Sequence, residues 1–150
     1  MHVFFAERAA NHVAGVGKQT RRLPVALGGV VGAGTMGGGI AMNFANAGIP
    51  VRLTDASKEL LDAGMARIRA NYQRSVSSGR LDAAGLERRM ALIEPTPALE
   101  DFAEVDFVIE AVFEEFDIKR RTFRALDGIC KSDALIASNT SYLDIDPLAA

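Results

Sequence analysis

One short stretch restricts the fold of this chain more than any other: Val30-Val31-Gly32-Ala33-Gly34-Thr35-Met36-Gly37, an apolar run ending in glycines spaced Gly-x-Gly-x-x-Gly. The apolar residues of 25–31 predict a buried first strand, weakened by Gly28 and Gly29. Beyond the glycines, Ile40, Phe44 and Ala47 recur at helical spacing, with the small residues Ala41, Ala45 and Gly48 beside them. A helix is therefore expected to lie close against the strand. Ile49, Val51 and Leu53 then alternate as a second strand that ends at Asp55. Strand, glycine turn, helix and strand make a parallel crossover, which commits the chain to an α/β sheet.

The remainder keeps that alternation. Ser57 is placed to cap a long helix with a buried stripe of Leu61, Met65, Ile68, Tyr72 and Val76, and a second helix is expected over 83–91. Residues 91–93 read as a minimal strand closed off by Glu94-Pro95-Thr96-Pro97, residues 106–112 as a strong strand, and 134–138 as the last clear one. Ile118, Thr122, Ala125 and Ile129 mark a helix between the last two. The expected fold class is a Rossmann-like doubly wound parallel sheet with helices on both faces. Residues 1–23 differ. A short helix with Phe4, Phe5 and Ala9 on one side leads into a Gly-rich, basic linker, so the domain proper is expected over 24–150. The Phe4–Phe5 pair is expected to pack against a preceding or partner domain or a second copy of the chain, the alternative being a frayed terminal helix.

In a strand–turn–helix setting each glycine has a task. Gly32 permits the tight turn, Gly34 lets backbone approach a pyrophosphate, and Gly37 lets the helix pack on the strand. The amides of Thr35, Met36 and Gly37 form a helix N-terminus that favours an anion. Asp55 stands where a carboxylate accepts hydrogen bonds from adenosine ribose hydroxyls and repels a 2′-phosphate. These features predict a dinucleotide site with NAD favoured over NADP, with Lys58 nearby as the one contrary charge. The turn by itself does not separate NAD from FAD or S-adenosylmethionine.

Composition removes other classes. A formal net charge of -2 supplies no basic field for nucleic acid or an acidic membrane surface. No apolar run reaches the roughly 18 residues of a membrane span. The single cysteine, Cys130, cannot form an internal disulfide, which fits a reducing cytoplasm. No metal site is picked out.

Two further groups fall at carboxyl ends of expected strands, where an open α/β sheet binds its ligand. They are Glu110 to Lys119 and Ser138-Asn139-Thr140-Ser141. Taken singly, Glu110 and Glu114 read equally well as solvated loop charges or as acids favourable to the next helix dipole. Ser138, Asn139 and Thr140 read equally well as turn formers. Taken together, at the same sheet edge as the glycine turn, they read as the far wall of a cofactor cleft.

Three runs carry a family resemblance: GVVGAGTMGGGIAMNFANAGIPVRLTDAS, VDFVIEAVFEEFDIKRRTF and ALIASNTSYLDI. Together they resemble the NAD-binding domain of 3-hydroxyacyl-CoA dehydrogenases. The likeness is nearest to the dehydrogenase part of the multifunctional fatty-acid oxidation α subunit, where HVFFAERAA resembles the segment that joins a preceding enoyl-CoA hydratase region. The resemblance implies a pyrophosphate contact for Met36 among Gly32, Ala33, Gly34, Thr35 and Gly37, and an adenosine-ribose contact for Asp55. It implies that Val112, Phe113 and Glu114 line the nicotinamide-ribose side with Asn139. Lys119 would reach the cofactor or the thioester substrate, and Ser141 would be catalytic, hydrogen-bonding the substrate's 3-oxygen beside the nicotinamide. The implied reaction is oxidation of a 3-hydroxyacyl-CoA to the 3-ketoacyl-CoA, so the partner is an acyl-CoA substrate in the complete enzyme.

In that family the general base is a histidine downstream, in a motif resembling HFFNP, oriented by a later glutamate. The 150 residues hold only His2 and His12, both in the leader. Little or no turnover is therefore expected of this chain alone, with roughly 10²–10⁴-fold lost through the missing base. Two other readings stand beside this one: a non-catalytic NAD-binding module, and a Rossmann-like methyltransferase that binds S-adenosylmethionine.

Overall fold

The structure is a computed structural model; it describes residues 23–149 throughout, with 5, 6, 9, 15–17, 19 and 20 of the leader. Five parallel strands form one sheet in the order β3-β2-β1-β4-β5. They are β1 (Gly28–Val31), β2 (Val51–Thr54), β3 (Ile93–Pro95), β4 (Phe107–Glu110) and β5 (Leu135–Ser138). The helices are α1 (Thr35–Asn46), α2 (Lys58–Ser77), α3 (Ala83–Met90), α4 (Phe116–Ile129) and the short α5 (Asp146–Ala149). The chain leaves β1 for β2 on one side and returns for β4 on the other, so the sheet's switch point lies between β1 and β4. Phe4, His2 and His12 lie outside the described residues, while Phe5 is exposed.

Side-chain alternation along the strands sorts the apolar residues to two faces. Val30 joins Val51, Leu53, Ile68 and Tyr72 in a cluster under α1 and α2, whereas its neighbour Val31 joins Phe102, Val105, Val108 and Leu126 under α4. The first strand is shorter than its apolar run, because Ala26 and Leu27 are taken up elsewhere. Their amides donate to Asp106 Oδ2 at 2.7 and 2.9 Å, and Lys131 donates to the other oxygen of the same carboxylate. The glycines that weakened β1 as a sequence are spaces for rings. A Cβ on Gly28 would stand 2.7 Å from Phe44, and one on Gly29 would stand 2.7 Å from Phe102.

Ser57 caps α2 as expected, its hydroxyl accepting from Leu60 N at 3.3 Å. Leu61, Ile68 and Tyr72 are buried beneath α2, with Met65 and Val76 packed at the margin. The third strand runs over 93–95 and not 91–93, because Ala91 still caps α3 and Leu92 closes the turn. Pro95 is tolerated there because β3 is an edge strand. The 3-10 turn Leu99–Glu104, which carries the fully buried Phe102, and α5 have no counterpart in the sequence pattern.

The Asp106 contacts tie the start of β1, the start of β4 and the segment after α4 together. Hydrogen bonding from Lys131, then from the Leu27 and Ala26 amides, lowers the Asp106 carboxyl from 3.8 to about 2. A depressed folded-state pKa stabilises the fold fully above the unfolded value and is lost as protons return. Stability is therefore expected to fall as pH drops from 3.8 towards 2, and Asp106→Asn should flatten that part of the profile. Denaturation midpoints measured across this pH window check it; equal slopes for the two proteins would contradict it.

Candidate cofactor site

The glycine turn leaves the carboxyl end of β1 at the switch point. Gly32 has φ +102°, and a Cβ there would meet Ala111 O at 2.6 Å, so only glycine serves. Gly37 lies against the turn so closely that a Cβ would stand 1.7 Å from Gly32 O. Gly34 has nothing within 4 Å of its Cβ position, which leaves the approach to the helix start open. Helix α1 has Gly34 at its N-cap, no side-chain cap and no acid in its first turn. Its first amides are thus available to an external anion. Met36 lies at this end with 58% of its surface exposed.

Neighbouring groups pin the turn from several sides. Gly32 N donates to Thr54 O at 2.8 Å, and Arg67 donates to Ala33 O at 2.9 Å. Asp55 Oδ2 accepts from Ala33 N and Oδ1 from Ala56 N, each at 2.7 Å. A carboxylate offers about four acceptor sites, so Asp55 holds the turn and still has capacity for a diol. Lys58 pairs with Asp62 at 2.5 Å. It answers a carboxylate one helical turn away on its own helix.

The far wall stands at the ends of β4 and β5. Glu110 and Lys119 are fully buried and paired, Nζ to Oε1, at 2.9 Å. Glu110 Oε1 also accepts from Val112 N at 2.8 Å, and Oε2 from the Ser138 hydroxyl at 2.7 Å. Lys119 Nζ makes a second ion pair with Glu114 at 3.1 Å. Glu114 Oε1 in turn accepts from the Thr140 hydroxyl and from Ser141 N at 3.3 Å. Asn139 N donates to Glu110 O at 2.7 Å. Hydrogen bonds from Thr140, then from Lys119 and Ser141, hold the Glu114 carboxyl below the usual range, so it stays ionised near neutral pH.

Several expectations change with these contacts. Glu110 is no loop charge; it is the central acceptor of a buried network. Lys119 does not extend into the open cleft, because both its carboxylate partners hold it inside, and it touches the cleft through Glu114. Ser138 and Thr140, read from sequence as turn formers, bind the two glutamates. Val112 is half-buried, Asn139 likewise, and Ser141 is exposed at the rim. Phe113, 80% exposed, and Tyr142, 76% exposed, stand at the same rim as uncovered aromatic surface. No helix among the described residues is long and apolar enough to cross a membrane.

The sheet order arranges these groups in a line: Asp55 after β2, the uncapped helix start after β1, and the Glu110–Lys119–Glu114 network after β4 with Ser141 beyond β5. The fold and the turn define a dinucleotide-binding domain of the Rossmann class. Residues 28–150 match the family model described as 3-hydroxyacyl-CoA dehydrogenase, NAD binding domain, and the chain belongs to that family, whose cofactor is NAD. It is 37% identical to the peroxisomal bifunctional enzyme of Cavia porcellus over 99% of its own length, and 41% identical to the fatty acid oxidation complex subunit alpha of Psychrobacter cryohalolentis over 80%. The chain spans only 21% and 17% of those two relatives. Among solved structures, the (S)-3-hydroxybutyryl-CoA dehydrogenase of Ralstonia eutropha matches with a TM-score of 0.82 and 35% identity, over 84% of this chain and 44% of that one.

Proposed function

We propose that this chain is the cofactor-holding part of an enzyme that oxidises 3-hydroxyacyl-CoA to 3-ketoacyl-CoA in fatty-acid breakdown. One observation carries the reading: an uncapped helix start lies between the Asp55 carboxylate and a polar wall anchored by the buried Glu110–Lys119 pair, all on one sheet edge. In this reading residues 24–150 form the domain and 1–23 lead into it. Gly32, Ala33, Gly34, Thr35, Met36 and Gly37 bind the pyrophosphate through backbone, and Asp55 binds the adenosine ribose. Bound NAD supplies the hydride acceptor. Glu114 orients the second ribose, with Val112, Phe113 and Asn139 beside it, and Lys119 holds Glu114 in place. Ser141 hydrogen-bonds the substrate's 3-oxygen.

The proton of the substrate hydroxyl needs a base, and residues 23–149 contain no histidine. The base and the acyl-CoA wall therefore come from another part of the enzyme, which would also cover Phe113 and Tyr142. Low turnover by these 150 residues alone follows. A partner region or second copy at the leader, and a cytoplasmic setting, complete the proposal; the free Cys130 suits a reducing compartment, and a peroxisomal one fits the name of the Cavia relative equally.

Titration with NADH, followed by its fluorescence, tests the reading. Saturable binding is expected, displaced by NAD and poorly by NADPH or S-adenosylmethionine. Asp55→Ala should weaken NADH by roughly 10–100-fold, the worth of hydrogen bonds to a charged acceptor. Displacement by S-adenosylmethionine, or binding unaffected by Asp55→Ala, would overturn it.

A further inference from the structure

The polar wall contains an imbalance of charge. Lys119 is the single cation that the described ion pairs give to Glu110 and Glu114, so two carboxylates share one ammonium. Glu110 and Lys119 are buried and face each other through Oε1 and Oε2, at 2.9 and 3.2 Å. Glu114 is the outer member, an exposed residue with its side chain 29% accessible, and its remaining partners are the neutral Thr140 hydroxyl and Ser141 amide. Of the charged residues that follow Glu114 in sequence, Glu115 is exposed and Asp117 pairs with Arg120. The surplus negative charge therefore sits on Glu114, at the open side.

We propose that the Glu110–Lys119–Glu114 cluster carries an uncompensated negative charge at the nicotinamide end of the cleft, and that this charge shifts the domain's preference towards oxidised NAD and away from NADH. The proposal rests on the cofactor reading given above. The two forms share adenosine, pyrophosphate and both riboses, and differ at the ring, which is cationic when oxidised and neutral when reduced. Contacts at the glycine turn and Asp55 contribute equally to both and cancel in the ratio of their dissociation constants. A fixed charge beside the ring does not cancel, because it attracts one form and is indifferent to the other. Partial burial of the cluster reduces screening of that attraction, and hydrogen bonds from Thr140 and Ser141 fix its position. The second carboxylate matters here: a lone Glu114–Lys119 pair would be neutral, and Glu110, by engaging the ammonium from inside, leaves Glu114 unneutralised.

Dissociation constants of NAD and NADH, measured on the 150-residue chain and its variants, test this. Glu114→Gln keeps the hydrogen-bonding shape and removes the charge, and the ratio Kd(NAD)/Kd(NADH) is expected to rise roughly three- to tenfold. Glu114→Asp keeps the charge and should retain the native ratio even where both affinities fall. Glu115→Gln, an exposed carboxylate one residue on, should leave it unchanged. In the native protein, added salt should raise the ratio, a readout that holds if Glu114→Gln fails to fold. Equal weakening of both nucleotides by Glu114→Gln, or a ratio indifferent to salt, would overturn the charge effect while leaving the cofactor reading intact. Binding of neither nucleotide by the folded native chain would overturn that reading and the proposal with it.

Discussion

Lys119→Met is expected to cost about 3–5 kcal/mol of folding stability, far more than a lysine substitution on a helix surface. The side chain is fully buried in α4, and its ammonium joins Glu110 at 2.9 Å and Glu114 at 3.1 Å. Its removal leaves Glu110 fully buried without a counter-charge, and the desolvation of that carboxylate is no longer offset. Glu114 would lose its ion pair to α4 at the same time and keep only its hydrogen bonds from Thr140 and Ser141. The variant should therefore also bind NADH more weakly. Glu110→Gln in the same protein should recover much of the stability, because no lone charge is then buried and the amide oxygen still accepts from Val112 N or Ser138. Chemical denaturation of the single and double variants measures both effects. A single variant within about 1 kcal/mol of the native protein would mean that the pair is not the buried connection described here.

The second large effect is expected at Gly37. An added Cβ would lie 1.7 Å from Gly32 O and 2.9 Å from its carbon, and both are backbone atoms of the turn itself. No rotamer change relieves that overlap, so α1 must move off β1 or the turn must open. Gly37→Ala should cost about 3 kcal/mol, at the upper end of ordinary overpacking, and abolish measurable NADH binding. Gly39→Ala is the matched control two residues along the same helix. Nothing lies within 4 Å of its Cβ position, so alanine there should be neutral or stabilising by up to about 1 kcal/mol. Thermal melts and NADH titration of the two variants give the comparison. Equal behaviour would show that close packing of helix on turn does not govern the site.

The sequence made the alternation of strands and helices, the glycine turn and Asp55 legible because each depends on local spacing. What it hid depends on partners far along the chain. Gly28 and Gly29 look like defects in a strand until Phe44 and Phe102 occupy the space above them, and Phe102 lies in a 3-10 turn with no periodic signature. The stripe Ile118, Thr122, Ala125 and Ile129 misses the deepest positions of α4, which are Lys119 and Leu126, seven residues apart. A charged residue on the core-facing side is invisible to hydrophobic periodicity. Two signals did exist. Glu110 interrupts the otherwise apolar run Phe107-Val108-Ile109-Glu110-Ala111-Val112, and Lys119 stands one helical double-turn before Leu126. An acid inside a buried strand requires a cation from another element, and Lys119 is the lysine nearest in sequence to Glu110. Resemblance gave Lys119 a place near the ligand, but its paired state could be seen only once β4 and α4 were packed together.

Phe113 and Tyr142 lie on the rim beside Ser141, and apolar surface at a polar site is ordinarily covered by ligand or by a second domain. The domain is that of an NAD-binding family, and no histidine falls within residues 23–149.

The central claim is that one sheet edge, from Asp55 across the glycine turn to Ser141, holds the dinucleotide. Amide-resolved NMR of the chain titrated with NAD tests it most directly. The account predicts saturable shifts at Thr35, Met36 and Gly37, at Ala56 beside Asp55, and at Val112, Asn139 and Ser141. Shifts confined to another place, such as the groove between α2 and α3 around Gln73, Val76 and Leu86, would contradict it.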